Sequence, residues 1–411
     1  MTHNTASTSA SSSSSSASTM TPHPKYSIFT HSVGYHTANH SLLAKLDAIA
    51  DAGLHAVEIF TDDLWTFSQS PAFASILSAS SSAASTGASG ELLTPPDSPL
   101  SRHANLRKTP ALTYNANGTC TFEQAQLEVA AAAYIRQYCE CKGLEIVCLQ
   151  PQRDVEGWVS HDDRQAAMER VRSRFAVMQA LNTSLLLICS QNTRAPQTTG
   201  DPATIVRDFR EISTMASEFT AASGHPIRIG YEALSWGAHI DVWSQAWAIV
   251  RDTDRDNIGL ILDSFNTLGR EFADPCSPTG IQEPAALTLS NLHSSIKRIV
   301  DEVPGDKIFL LQIGDAKRMP APLLPSPRQD EPRPSRMIWS RSSRLFPCEQ
   351  DKGGFMPVAE FVAAAVKAGY KGPWSIEVFN DSLDDADEQV PRVHATRARA
   401  GLDRLVEVVY A

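Results

Sequence analysis

The chain has 411 residues and a formal net charge of −10, from 36 lysine and arginine residues and 46 aspartate and glutamate residues. An acidic chain of this kind gives no sign of the clustered basic face that a nucleic-acid backbone requires, so nucleic acid is not an expected partner. No apolar stretch approaches the ~20 residues that would span a bilayer, so no membrane partner is expected either. The length alone allows one large α/β domain or two to three smaller ones.

The seven cysteines are scattered, and no pair shows the CxxC spacing of a zinc knuckle or a redox site. They are Cys120, Cys139, Cys141, Cys148, Cys189, Cys276 and Cys348. Cys139 and Cys141 lie two residues apart on a predicted helix and therefore point to different faces. We interpret all seven as reduced thiols of an intracellular protein.

Residues 1–24 form a tract rich in serine, threonine and alanine. The tract has neither the hydrophobic core of a secretory signal nor the arginines of a mitochondrial presequence. We therefore predict a disordered tail on a cytoplasmic protein.

From Lys25 onward, short apolar runs alternate with helical patterns, and the alternation repeats eight times. The apolar runs are, in chain order, YSIFT, HAVEIF, LEIVCLQ, SLLLIC, IRIGYE, IGLILD, KIFLLQIGD and WSIEVF. Strands this continuously apolar are typical of a parallel sheet that helices cover on both sides. Eight such units predict an α/β fold, a (β/α)8 TIM barrel over residues 25–411. A doubly wound open sheet would require a GxGxxG turn after the first strand, and none is present.

Two segments interrupt the alternation. Residues 70–118 include a run rich in serine, alanine and proline that is far longer than an ordinary loop of such a barrel, and we predict a disordered insertion there. Residues 318–336, after strand seven, form a proline-rich loop. The aromatic and basic residues that follow, in MIWSRSSRLFPCEQDKGGF, predict a structured loop.

Polar residues lie at the ends of predicted strands five to eight. They are Glu232, Asp263, Gln312 and Glu377. The C-terminal ends of the strands of a TIM barrel meet at one mouth, where such barrels carry their active sites. A single acidic residue at a strand end is more often a helix cap or part of a loop salt bridge, but four polar residues on consecutive strands predict one shared site. Three carboxylates and an amide carbonyl are hard oxygen donors, which suit a divalent ion such as Mg or Mn.

Other polar residues near the strand ends are weaker candidates. Asp315 lies three residues beyond Gln312 and is expected to be a loop residue rather than a ligand. His31, His36 and His40 follow strand one and could be ligands, but lone histidines are more often surface or hydrogen-bonded loop residues.

Several blocks of the sequence together resemble one enzyme family. They are AVEIF, LEIVCLQP, YEALSW, LDSFNTLGREFADP, LLQIGDA, MIWSRSSRLF and WSIEVFN. In this order they resemble the fungal 3-dehydroshikimate dehydratases of quinate and shikimate catabolism, which belong to the xylose isomerase-like barrel superfamily. The resemblance implies a divalent metal ion (Mg, Mn or Co) held by the four strand-end residues. It also implies a small-molecule substrate, 3-dehydroshikimate, that is converted to protocatechuate and water.

Dehydration of such a substrate requires one group to remove a proton beside the ketone and another to help the hydroxyl leave as water. Glu232 and Glu377 are the carboxylates at the mouth that we consider for this chemistry, together with Arg344. The sequence does not decide which residue is the base and which the acid.

The substrate of this family also carries a carboxylate, which a bidentate guanidinium binds well. Arg344 and Ser340 lie in WSRSSRLF, at positions that resemble substrate contacts of bacterial dehydratases. Arg344 is therefore the first choice for this contact, although Arg341 in the same block is equally basic.

Arg153, after strand three, is the second choice for the substrate carboxylate, although it could instead pair only with Asp154 or Glu156. Asn266 is a further candidate substrate contact. It departs from the bacterial relatives, which place a histidine at this position, and this departure leaves the acid and base roles open.

Three rival functions remain compatible with a barrel. A sugar phosphate or hydroxypyruvate isomerase would use the same fold and metal. An endonuclease IV-like repair enzyme would need a histidine-rich zinc cluster and a basic surface, and neither is visible in the sequence. A non-catalytic barrel would hold no metal.

Overall fold

A computed structural model describes residue 1 and residues 23–85, 112–114 and 118–411. Eight of the described strands form a closed parallel barrel. In chain order they are β1 (Tyr26–Phe29), β2 (Ala56–Phe60), β3 (Glu145–Gln152), β4 (Leu185–Cys189), β5 (Arg228–Glu232), β6 (Ile258–Asp263), β7 (Ile308–Ile313) and β8 (Trp374–Ile376). The ring closes where β1 pairs with β8, with Ile28 opposite Ile376. This architecture confirms the predicted (β/α)8 TIM barrel, while the predicted tail, residues 1–24, lies almost entirely outside the described residues.

Helices surround the barrel and connect its strands. The described α-helices are α1 (Leu42–Asp51), α2 (Thr61–Ser68), α3 (Pro71–Ser85), α4 (Phe122–Cys141), α5 (His161–Leu181), α6 (Pro202–Ser223), α7 (Trp243–Thr253), α8 (Ser264–Glu271), α9 (Ala285–Glu302), α10 (Ser335–Ser343), α11 (Val358–Lys367) and α12 (Val390–Tyr410). None of the helices in this described part of the chain is long and apolar enough to cross a membrane.

Helix α6 illustrates how local sequence sets the ends of these elements. The side chain of Asp201 accepts a hydrogen bond from the backbone nitrogen of Thr204 at 3.0 Å, and Pro202 occupies the first helical position. The helix ends at Gly224, whose φ of 75° lies in the left-handed region that glycine adopts without strain. The apolar side of α6 is buried in the main core cluster, which is continuous with the strands.

The predicted insertion over residues 70–118 is helical in its first part. Helix α3 begins at Pro71, and its Phe73 is buried with its ring centroid 5.2 Å from that of Phe67 in α2. The prediction of disorder is therefore wrong for Pro71–Ser85, because one aromatic side chain docks this helix on the barrel. It is also wrong for Leu112–Tyr114, which pairs as an antiparallel strand with Gly118–Cys120. Residues 86–111 and 115–117 lie outside the described residues, so disorder there stays a prediction.

The segment after β7 also differs from its prediction in one part. Residues 318–334 contain neither helix nor strand, in agreement with a proline-rich loop, but α10 begins at Ser335 where a structured loop was predicted. Trp339 is the reason that this helix packs: its ring lies 4.7 Å from Phe265, and its indole nitrogen donates to the Lys317 carbonyl at 2.8 Å. The chain then forms a short antiparallel pair in which Arg344 lies opposite Ala316. This pairing carries Arg344 to the mouth of the barrel.

Candidate metal and substrate site

The four residues predicted at the strand ends converge at the C-terminal mouth of the barrel. Glu232 ends β5, Asp263 ends β6, and Glu377 directly follows β8. Gln312 lies in β7 opposite Asp263. Carboxylate oxygens of Glu232, Asp263 and Glu377 all lie within 4.8 Å of one another, and all four side chains are buried.

Burial of three carboxylates at one point changes their proton affinity. Burial raises the pKa of Glu232 well above its usual value, and the charges of Glu377 and Asp263 raise it further. Burial also raises the pKa of Glu377, although the nearby Arg344 guanidinium acts in the opposite direction. Such a cluster is unfavourable in its fully charged form unless a cation lies among the oxygens. The site is therefore chemically suited to a divalent ion.

The amide of Gln312 supports the same conclusion. Its nitrogen Nε2 donates to Oε2 of Glu58 at 2.9 Å and to Oε1 of Glu377 at 3.3 Å. Its carbonyl oxygen Oε1 is buried and has no hydrogen-bond partner in the described part of the chain. A buried carbonyl oxygen without a partner is costly, and a metal ion would satisfy it. The residues present thus fit a hard divalent cation with one amide and three carboxylate ligands.

Asn266, predicted as a substrate contact, lies between two of these carboxylates. Its Nδ2 donates to Oε1 of Glu232 at 2.7 Å and to Oδ2 of Asp263 at 3.0 Å. Its Oδ1 accepts from the backbone nitrogen of Ser235 at 3.0 Å. The amide therefore ties the ends of β5 and β6 together and orients their carboxylates.

Arg344, the first choice for the substrate carboxylate, is engaged with the metal-site residues. Its Nη1 donates to Oδ2 of Asp263 at 2.9 Å and to Oε2 of Glu377 at 2.8 Å. Its Nε donates to the hydroxyl of Ser340 at 3.1 Å. Burial lowers the pKa of this guanidinium, but the charges of Asp263 and Glu377 outweigh burial and raise it. Arg344 is 1% exposed, so the two ligands and Ser340 account for its nearest contacts.

Arg153 faces the mouth from the loop after β3. Its Nη1 lies 3.7 Å from Oδ2 of Asp62, and its guanidinium carbon lies 5.7 Å from the Phe60 ring centroid. Its ionic partner is thus Asp62 and not Asp154 or Glu156, the two partners considered from the sequence.

The histidines after strand one take part in loop contacts. His40 Nε2 lies 2.7 Å from the Asp385 carbonyl oxygen. His31, His36 and Asp63 approach one another closely enough to hold an ion. Lys45 Nζ also donates to Oδ1 of Asp63 at 2.7 Å.

Asp315, which was expected in a loop, lies instead in a two-residue strand, Asp315–Ala316, where it is opposite Leu345. One of its carboxylate oxygens accepts from the backbone nitrogens of Ala316 at 2.7 Å and Met356 at 3.0 Å. The carboxyl group therefore holds the strand-like segment after β7 against the loop before α11.

Sequence reasoning missed a second group of buried polar residues directly below the metal site. Gln150 Nε2 donates to Oε2 of Glu58 at 2.8 Å, and the hydroxyl of Ser375 donates to the other oxygen of Glu58. Burial raises the pKa of Glu58 to about 8, with a further contribution from Glu377. The signal was present in the sequence, because a glutamate inside the apolar run AVEIF needs buried partners.

Comparisons with known proteins agree with this fold. The profile of the xylose isomerase-like TIM barrel family matches residues 112–405. The chain is 31% identical to the 3-dehydroshikimate dehydratase of Neurospora crassa over 385 residues, which are 93% of this chain and 94% of that protein.

The chain is also similar to a bacterial protein and to a solved structure. In both cases the matched region is less than half of the other protein. The chain is 36% identical to the 3-dehydroshikimate dehydratase of Pseudomonas aeruginosa over 264 residues, which are 64% of this chain and 34% of that protein. It resembles the structure of a xylose isomerase-like TIM barrel/4-hydroxyphenylpyruvate dioxygenase fusion protein with 28% identity and a TM-score of 0.60, over 94% of this chain and 43% of that one. The chain therefore belongs to the xylose isomerase-like TIM barrel family and, within it, to the family of the Neurospora crassa 3-dehydroshikimate dehydratase.

Proposed function

We propose that the protein is a metal-dependent 3-dehydroshikimate dehydratase that forms protocatechuate and water, a reaction of quinate and shikimate catabolism. The observation that carries the proposal is the nearly full-length similarity to the Neurospora crassa enzyme. The buried oxygen cluster of Glu232, Asp263, Gln312 and Glu377 supports it, because this cluster suits a divalent ion.

The proposed reaction removes one water molecule. A C–H bond breaks on the carbon beside the ketone, a C–O bond breaks on the next carbon, and a C=C bond forms between them. The elimination product is the keto tautomer of protocatechuate. It becomes aromatic when a C–H bond of the remaining ring CH2 group breaks and a proton is added to the ketone oxygen. A divalent ion bound at the site would supply a Lewis acid for the negative charge that develops on the ketone oxygen.

The residues of the chain have separate tasks in this proposal. Glu232 and Glu377 are the carboxylates available to accept the proton and to return it to the leaving hydroxyl. Arg344 contacts Glu377 at 2.8 Å and stabilises its charged form. Asn266 holds the carboxylate of Glu232 in a fixed orientation through its 2.7 Å hydrogen bond. Burial of all these side chains excludes water from the place where the charge develops.

The test is direct because the product is aromatic. Metal-loaded protein supplied with 3-dehydroshikimate should generate a new near-ultraviolet absorbance that no sugar isomerisation produces. Chelated protein and the variant Glu232→Gln serve as controls and should produce little of it. If the loaded protein forms no aromatic product but interconverts a keto sugar or hydroxypyruvate, the isomerase alternative replaces this proposal.

A further inference from the structure

Arg341 is a cation at the barrel mouth without an ionic or hydrogen-bonding partner in the described part of the chain. It lies on α10, beside the faces of two aromatic rings. Its guanidinium carbon is 4.2 Å from the Phe379 ring centroid and 5.9 Å from that of Trp236. Phe379 lies two residues after Glu377, and Trp236 lies four residues after Glu232. Both rings therefore place Arg341 above the same mouth as the metal site.

The neighbouring arginines differ from Arg341 in what they contact. Arg344 donates to Asp263 and Glu377 at 2.9 and 2.8 Å, and its Nε donates to a serine hydroxyl. Arg153 lies 3.7 Å from the carboxylate of Asp62. Arg341 alone among these three arginines has no described carboxylate within salt-bridge distance, although the charge of Glu377 is near enough to raise its pKa slightly against burial.

The position of Arg341 is electrostatically unfavourable without an anion. Burial, followed by the charges of Arg153 and Arg344, lowers the pKa of Arg341 to about 10, so it remains a cation at neutral pH. Aromatic faces offset part of the lost hydration but contribute only ~0.5–2 kcal/mol. An anionic group brought by a ligand would supply the missing partner.

We infer that Arg341, and not Arg344, binds the carboxylate of the ring substrate and so selects an acid over a neutral polyol. This inference rests on the proposed dehydratase function and names the residue that determines its specificity. The planar guanidinium suits a bidentate carboxylate contact, and the aromatic rings beside it offer apolar surface to the face of a small ring. The geometry thus reverses the order of Arg344 and Arg341 that the sequence favoured.

The test compares two diols that differ only in a carboxylate. Protocatechuate and catechol are titrated calorimetrically into metal-loaded protein, and the ratio of their affinities measures the contribution of the carboxylate. We expect wild-type protein to prefer protocatechuate by about tenfold or more, the range of a charge-assisted contact. Arg341→Gln should reduce the ratio to near one while leaving the affinity for catechol unchanged, and Arg341→Lys should give an intermediate ratio. Arg251→Gln removes an exposed arginine and should keep the wild-type ratio.

Several outcomes would overturn the inference. The first is an unchanged affinity ratio in Arg341→Gln. The second is an equal loss of affinity for both diols in that variant, and the third is a wild-type protein that binds protocatechuate no better than catechol. The melting temperature of ligand-free Arg341→Gln gives a second readout, because removing an unpaired cation should leave it unchanged or raise it. A fall in that temperature would show that Arg341 stabilises the fold instead.

Failure of the inference and failure of the proposed function are distinguishable in these data. Dehydration by the wild-type protein together with an unchanged ratio in Arg341→Gln would leave the proposed function standing and remove the role of Arg341. An affinity ratio near one in Arg341→Gln, together with no dehydration by the wild-type protein, would establish the carboxylate site and reject the dehydratase function.

Discussion

Gln312 donates from Nε2 to Oε2 of Glu58 at 2.9 Å, and this contact determines which end of the Gln312 amide faces the metal site. In the reverse orientation Gln312 would lose the hydrogen bonds that its Nε2 donates to oxygens of both Glu58 and Glu377. The carbonyl oxygen therefore points to where the ion would bind, and it is the atom left without a partner. Glu58 thus orients Gln312, a ligand in the proposed metal site, although Glu58 is not itself in the strand-end cluster.

A substitution at Glu58 should therefore weaken metal binding. Glu58→Leu removes the acceptor for Gln312, and we expect the affinity for Mn(II) to fall by roughly 10–100-fold, the usual effect of losing a partner of a metal ligand. Glu58→Gln is the matched control: its carbonyl can still accept from Gln312 and its amide can donate to Ser375. Calorimetric titration of each protein with Mn(II) measures the difference, and equal affinities in Glu58→Leu and wild type would contradict this role.

Removal of the metal should abolish activity and reduce stability together. Exhaustive chelation should stop product formation, and Mn, Co or Mg should restore it. Glu232→Gln and Glu377→Gln should each lose bound metal, measured by elemental analysis, whereas Glu140→Gln at an exposed position should keep it. Full activity in protein verified to be free of metal would remove the basis of this site.

Metal binding at this site should raise the melting temperature by an amount that depends on pH. The raised pKa values of Glu232 and Glu377 mean that their contribution to stability is present at low pH and is lost as the pH rises through those values. An ion competes with these protons and binds best when they have left. We therefore expect Mn(II) to raise the melting temperature more at pH 8 than at pH 5, and an equal shift at both pH values would argue against carboxylate ligands.

The meeting of the strand-end residues at one mouth could be predicted from the sequence for a simple physical reason. Each lies at the end of an apolar run, and all parallel strands of a barrel end at the same face, so Glu232 and Asp263 must meet there. Glu58 could not be placed in this way, because its partners come from β3, β7 and β8. Only the register between strands brings Gln150, Gln312 and Ser375 to one side chain.

The arginines show a second limit of sequence reasoning. Arg341 and Arg344 are only three residues apart in WSRSSRLF, and only the resemblance to bacterial dehydratases ranked Arg344 first. The difference arises because α10 ends between them: Arg341 stays on the helix, whereas Arg344 follows its end and pairs with Ala316 as a strand. The same helix packs through Trp339 against Phe265, a contact between segments distant in sequence.

Substitution of Arg344 should destabilise the metal-free protein. Arg344→Gln leaves the buried carboxylates of Asp263 and Glu377 without their cation, and we expect a loss on the order of 3 kcal/mol in the free energy of unfolding. Added Mn(II) should recover more stability in this variant than in wild type, because the ion neutralises the same oxygens. Arg341→Gln is the matched control and should lose nothing. Unchanged metal-free stability in Arg344→Gln would show that these ion pairs contribute little.

Asp315 should give the fold a pH dependence that is independent of the metal. Its buried carboxyl group has a pKa raised to about 6, because burial outweighs the hydrogen bonds that it accepts from Met356 and Ala316. A raised pKa means that its contribution to stability is present below the unfolded value near 4 and is lost as the pH rises through 6. Asp315→Asn keeps the accepting oxygen but cannot ionise. The free energy of unfolding of wild type minus that of Asp315→Asn should therefore fall by up to about 3 kcal/mol between pH 4 and pH 8. Denaturant titrations of chelated protein at these two pH values measure this difference, since other titrating groups are common to both proteins. A difference that stays constant or grows with pH would mean that the Asp315 carboxyl group is charged without cost in the folded protein.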